Sequence, residues 1–122
     1  MLVGCGLLSL TLAVLTIAIH FKRFGGKMIR GNRDKYPVPT GIASRVLRAH
    51  ANLNEALLPF GIFVLAAATI HIDNGVMDDA AVAFLIARLA HAGLYLAGAT
   101  PWRSVSYYAG LIATVVVATQ LF

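Results

Sequence analysis

Residues 2–21, LVGCGLLSLTLAVLTIAIHF, run for 20 residues with no acidic, lysine or arginine side chain. A helix of that length rises about 30 Å, which is the thickness of the hydrocarbon core of a bilayer. The stretch therefore reads as a membrane span. Leu2-Val3-Gly4-Cys5 has the form of a lipoprotein cleavage box, but no basic and apolar stretch stands in front of it, so a retained span is expected.

Working outward from this span, three more apolar stretches follow, and polar breaks separate them. The first break holds Gly25-Gly26, Gly31-Asn32 and Pro37-Val38-Pro39, all helix breakers or turn formers. The second is Asp73-Asn74-Gly75 and the third Thr100-Pro101. The sequence thus predicts an all-α membrane protein, a bundle of four transmembrane helices in a single domain over 1–122, with spans near 2–23, 41–70, 78–98 and 101–122. Thr40 is the expected N-cap of the second helix, Asp78-Asp79 suit the first turn of the third, and Thr100-Pro101 place a cap and an N1 proline before the fourth.

Composition agrees. Of 122 residues, 59% are hydrophobic and 12% charged, against roughly 45–50% and about 25% in soluble domains. The net charge of +5 could suggest nucleic acid, but the cations are concentrated in one loop rather than spread over a polar surface, so no nucleic-acid partner is expected. The one cysteine, Cys5, excludes an intrachain disulfide. His50 and His91 lack further ligands at metal-site spacing, so no metal is expected.

Lys22, Arg23, Lys27, Arg30, Arg33 and Lys35 crowd the first loop, Arg45 and Arg48 lie just beyond it, and Arg103 flanks the third. The second loop carries only Asp73, Asp78 and Asp79. Positive charge stays on the cytoplasmic side, so loops one and three are expected there and both termini outward. Trp102, Tyr36 and Phe24 suit interfacial anchors, and His20 and His71 interfacial positions.

Ionisable residues inside spans mark function, because each costs about 2.5–3.5 kcal/mol at mid-bilayer unless it is partnered. Arg45, Arg48, Asn52 and Glu55 fall on one face of the second helix, with His50 and Asn54 turned away. Pro59 removes the donor that would bond the Glu55 carbonyl and is expected to bend the helix there. Arg88, His91 and Tyr95 share a face of the third helix, and Arg103, Ser104 and Tyr107 open the fourth. Such a set suits a ligand bearing carboxylates and an ammonium. The alternative is that Arg48, Glu55 and Arg88 neutralise one another to hold the bundle.

These residues resemble a known family. Arg48-Ala49-His50-Ala51-Asn52-Leu53-Asn54-Glu55 with Pro59-Phe60 is similar to the second-helix signature of the MAPEG family, the membrane-associated proteins in eicosanoid and glutathione metabolism. Arg88-Leu89-Ala90-His91 with Tyr95-Leu96, then Pro101-Trp102-Arg103-Ser104-Val105-Ser106-Tyr107, resemble the third and fourth helices of its microsomal glutathione transferase and prostaglandin E synthase branch. The likeness is close from Arg45 to Phe122 and rests on length and position in the first helix.

The resemblance implies a homotrimer, in a bacterial inner membrane, with glutathione as co-substrate bound between subunits on the cytoplasmic side. Arg48, Asn52, Glu55, His91, Tyr95, Arg103, Ser104 and Tyr107 correspond to glutathione-binding positions, and Arg88 to a structural or site-adjacent arginine. An arginine near the end of the first helix reaches the site from the neighbouring subunit; Arg23 and Arg30 both answer to it, Arg30 being counted with the binding set. Arg103 and Ser104 are the expected catalytic pair.

Three departures point away from prostaglandin synthase activity. Ala51 stands where that enzyme has a further arginine, the first loop is shorter and offers only Asp34 as its acidic residue, and the connection between Tyr95 and Pro101 is shorter by one. The expected function is a membrane-bound transferase or peroxidase that directs the glutathione thiolate at an apolar small molecule or lipid hydroperoxide. The alternative is a non-catalytic binding or scaffold protein of the same fold. A transporter component is disfavoured by the absence of an inverted repeat.

Overall fold

The computed structural model describes residues 1–31 and 37–122. Arg33, Asp34, Lys35 and Tyr36, to which sequence reasoning gave parts in topology, site and anchoring, lie outside the described residues. Among those described, the elements are α1 (Leu2–Phe24), α2 (Gly26–Arg30), α3 (Ile42–Thr69), α4 (Gly75–Ala97) and α5 (Thr100–Thr119), with no strand.

Four long helices therefore form, and three of them, α1, α3 and α4, are long and apolar enough to cross a membrane. The expected fourth span is a helix of 20 residues, but its first half carries Arg103, Ser104, Ser106, Tyr107 and Tyr108. Those side chains lower its hydropathy, and three of them, Arg103, Ser104 and Tyr107, are candidate site residues.

The ends correct several expectations. Thr40 does not cap α3. Gly41 takes that position with φ 61 and no side-chain cap bond, because Thr40 is engaged by Arg23, whose guanidinium donates to the Thr40 carbonyl and, at 2.6 Å, to its Oγ1. This clamp ties the end of α1 to the start of α3. The third long helix starts earlier than expected, at Gly75, where the Asn74 side chain accepts the Met77 N–H at 3.0 Å. Thr100 is already helical and Ala99 is the N-cap of α5, with Pro101 inside the first turn. The first loop contains the single turn α2, which follows Gly25 at φ 77. A glycine adopts that conformation without steric cost. Helix α3 passes through Pro59 without ending.

Helices α4 and α5 pack most extensively against each other, followed by α1 against α3. Two apolar clusters fill the bundle. Toward the Asp73 end, Cys5, Phe60, Ala67, Phe84, Ala113 and Val117 are buried together, with Phe60 and Phe84 stacked at 3.8 Å between ring centroids. Toward the basic end, Leu12, Val46, Ala49, Leu53, Ala92 and Tyr95 form the second. Lipid removes most of the hydrophobic drive between spanning helices, so close packing by alanines and stacked rings holds this arrangement.

Candidate functional site

The candidate site lies where α3, α4 and α5 meet at the basic end, and its geometry begins with Arg88. Its side chain is 2% exposed, and Nη2 donates to the carbonyls of Ser106 at 3.2 Å and Tyr107 at 2.8 Å. The guanidinium also lies 5.4 Å from the Phe84 ring centre and 5.5 Å from that of Tyr107. It can come so close to α5 because residue 110 is glycine: a Cβ there would stand 2.6 Å from both Cζ and Nε of Arg88. Among the described residues, Nε and Nη1 have no hydrogen-bond partner. The mutual neutralisation of Arg48, Glu55 and Arg88 is not realised, since Arg88 is spent on backbone carbonyls and Arg48 donates to Ser44 Oγ at 2.8 Å.

One turn away, His91 is buried at 4% exposure. Its Nδ1 stands 3.0 Å from the Arg103 carbonyl and 3.2 Å from Ser106 Oγ. A carbonyl only accepts, so Nδ1 carries the proton and Nε2 of the neutral ring is an acceptor. Nε2 is buried and has no hydrogen-bond partner among the described residues. Ser106 Oγ in turn donates to the Arg103 carbonyl at 2.8 Å. These bonds fix the first turn of α5 onto α4. They leave the Arg103 side chain to lie across the face of Tyr95, 4.4 Å from the ring centre.

A pocket of about 230 Å³ opens there, lined by Asn52, His91, Tyr95, Arg103, Ser104, Tyr107 and Tyr108. Six residues singled out from the sequence, drawn from three helices, thus share one wall. The other three do not reach it. Glu55 lines a neighbouring pocket of about 130 Å³ with Arg88, Gly110 and Thr114, and Tyr107 borders both pockets. Arg48 is exposed and folded back on its own helix. Among the described residues, Arg30, on α2, donates to the Gly26 carbonyl at 3.2 Å. The second-helix face read as a single stripe is therefore divided between two pockets and open surface, because α4 and α5 cover only part of it.

Sequence reasoning missed Ser106, Tyr108 and Gly110. Ser106 lies three residues beyond Arg103, the spacing for a hydroxyl that bonds back to its own helix, and that was its only local signal. Gly110 gave none, since the demand for a missing side chain comes from Arg88 on another helix. A larger cavity, about 730 Å³, lies at the opposite end among Leu2, Val64, Ile72, Met77 and Asp78. Met1, His71 and Asp73 line it as well, so its ionisable side chains are an imidazole and carboxylates where the basic-end pocket has Arg103.

In comparisons with known proteins, the model of the MAPEG family matches residues 1–122. No curated protein and no solved structure matches the chain.

Proposed function

This chain belongs to the MAPEG family, and from that premise we propose that it is a membrane-bound glutathione transferase or peroxidase. The observation that carries the reading is the convergence of Asn52, His91, Tyr95, Arg103, Ser104 and Tyr107 on one pocket. A cation, hydroxyl donors and an imidazole acceptor are the groups an anionic thiol peptide requires. The pocket's 230 Å³ is below the roughly 300–1,000 Å³ usual for small-molecule sites. A neighbouring copy in a homotrimer would supply the missing wall and bring Arg48, Glu55 and the neighbour's Arg30 toward the ligand. Of the two candidates near the end of the first helix, Arg30 suits this part better, because Arg23 is committed to Thr40.

A cysteine thiol titrates near ~8.5 and reacts as the thiolate. Holding it ionised near neutrality means lowering that value by about two units, or roughly 2.7 kcal/mol of preferential thiolate stabilisation. Arg103 and Ser104 are the fourth and fifth residues of α5, near enough to its N-terminus for the helix dipole to add to their charge and hydroxyl. The thiolate attacks the electrophilic carbon of an apolar substrate arriving through the bilayer; the C–S bond forms and the leaving group departs with its electron pair. With a lipid hydroperoxide the sulfur takes the terminal oxygen, the O–O bond breaks to give the alcohol, and a second thiol converts the sulfenic acid to a disulfide and water.

The test is conjugation of a generic aromatic electrophile by the detergent-purified protein, comparing glutathione with other low-molecular-weight thiols. Glutathione is expected to be preferred. Arg103→Ala is expected to lower kcat/KM on the order of 100-fold, the size seen when one electrostatic donor is removed. Parental rates in Arg103→Ala would refute the role of Arg103, and absence of glutathione binding to the parent protein would refute the reading as a whole.

A further inference from the structure

The cavity of about 730 Å³ at the acidic end shares no lining residue with the basic-end pocket. It opens where the start of α1, the end of α3 and the start of α4 come together. Packing explains its position. Gly4 brings α1 close to α4 at Leu85, where an added Cβ would stand 3.2 Å from Leu85 Cδ2. One turn nearer the end of the bundle α4 presents Ala81, whose small side chain leaves a gap lined by Leu2 and Val3. Val64, Ala68 and Met77 complete the apolar wall.

The rim is polar and held in place. Helix α3 ends in paired bonds, from the Ile72 N–H to the Ala67 carbonyl at 2.9 Å and from the His71 N–H to the Ala68 carbonyl at 3.3 Å. That turn packs Ile72 against the buried cluster and leaves His71 exposed at the rim with Asp73 and Asp78. Asn74 caps α4 and donates to Gln120 Oε1 at 3.3 Å, which ties the same turn to the end of α5. No lysine or arginine lies between Arg48 and Arg88, and among the described residues none lines this cavity. Arg88 itself is spent on carbonyls of α5. The two rim carboxylates thus face the cavity without a lysine or arginine beside them.

We propose that this cavity binds an amphiphile with a primary ammonium head and an apolar tail. Two carboxylates accept charge-assisted hydrogen bonds from an ammonium, and the acceptor nitrogen of a neutral imidazole takes a third. A quaternary ammonium has no N–H to give and is recognised by aromatic rings instead. Among the described residues, no phenylalanine, tyrosine or tryptophan lines the cavity. The tail follows from the wall, which runs from the rim past Ala68 to Val64, one turn or about 6 Å further along α3. Polarity therefore falls with depth, as it does along an amphiphile entering a bilayer. The volume of about 730 Å³ lies inside the roughly 300–1,000 Å³ of small-molecule sites.

The test is photolabelling of the purified protein, in a neutral sugar detergent, by dodecylamine carrying a diazirine on its tail, with attachment mapped by mass spectrometry. Saturable attachment is expected within residues 1–3, 64–68 and 77–81. Unlabelled dodecylamine is expected to compete about tenfold better than dodecyltrimethylammonium or dodecanoate, the size of one hydrogen bond to a charged group. Asp73→Asn with Asp78→Asn removes the charge, and Ala68→Phe fills the cavity. Each is expected to lower labelling by about tenfold with the unfolding midpoint unchanged. Attachment spread over the lipid-facing surface, labelling indifferent to either variant, or equal competition by the quaternary amine would overturn the proposal. Vesicles then separate the two sources of such a head. Protection from labelling by phosphatidylethanolamine assigns the site to a lipid, and labelling undiminished there assigns it to a free amine. Equal protection by phosphatidylcholine would overturn the proposal.

Discussion

Gly110 and Arg88 show how a single missing side chain can place a charge. The guanidinium fits against α5 only because no Cβ occupies the space beside Nε and Cζ. Gly110→Ala is therefore expected to destabilise the protein by about 1–3 kcal/mol, the range for overpacking, read as a lower unfolding midpoint in detergent. In an Arg88→Met background the same substitution should cost less, because a thioether can yield where a bonded guanidinium cannot. Ser106→Ala removes one of the two acceptors beside His91 Nδ1. The expected loss is about 1 kcal/mol of stability, with a larger proportional loss in conjugation if His91 Nε2 contacts the thiol peptide. Gly110 and Ser106 were opaque in the sequence because they act through partners 22 and 15 positions away, Arg88 and His91.

Helix ends make the next scale testable. Asn74 accepts the Met77 N–H, and Asn74→Ala should cost about 1 kcal/mol, as the loss of an N-cap does. Gly98 closes α4 at φ 80 and lies against the Arg45 guanidinium. Gly98→Ala should therefore exceed the roughly 1 kcal/mol of an ordinary left-handed glycine replacement, and thermal unfolding of the two variants side by side would show the order. Thr40 teaches the opposite lesson. It has the residue type and position of a cap, yet its hydroxyl accepts from Arg23 across 17 residues of chain. Local signals located the helices to within a few residues. They misassigned caps wherever a side chain from another element competed for the same group.

For the whole molecule, the decisive quantity is the separation of charge between its ends. Lys27 stands on the basic side and Asp73 on the acidic one. In a Cys5→Ala background, Lys27→Cys is expected to react with a membrane-impermeant maleimide only from the cytoplasmic face, and Asp73→Cys only from the opposite face. Labelling of both from the same side would overturn the topology. The pocket lies at the basic end, so this orientation would present it to the cytoplasm, where a water-soluble thiol could enter while an apolar partner arrives through the bilayer.

Hydropathy and charge, read along the chain, determined four long helices, their order, the uneven distribution of cations and most of the polar residues that meet in the pocket. Length and periodicity are properties of one segment at a time, so one segment suffices to display them. Which of those polar residues share a wall was decided by tertiary structure. The packing of α3, α4 and α5 gathered Asn52, His91, Tyr95, Arg103, Ser104 and Tyr107, and it left Arg48 on open surface and put Glu55 in one pocket with Arg88. A helical face fixes only the direction in which a side chain leaves its own axis. Whether it meets a pocket, a neighbouring helix or nothing depends on where the other helices lie.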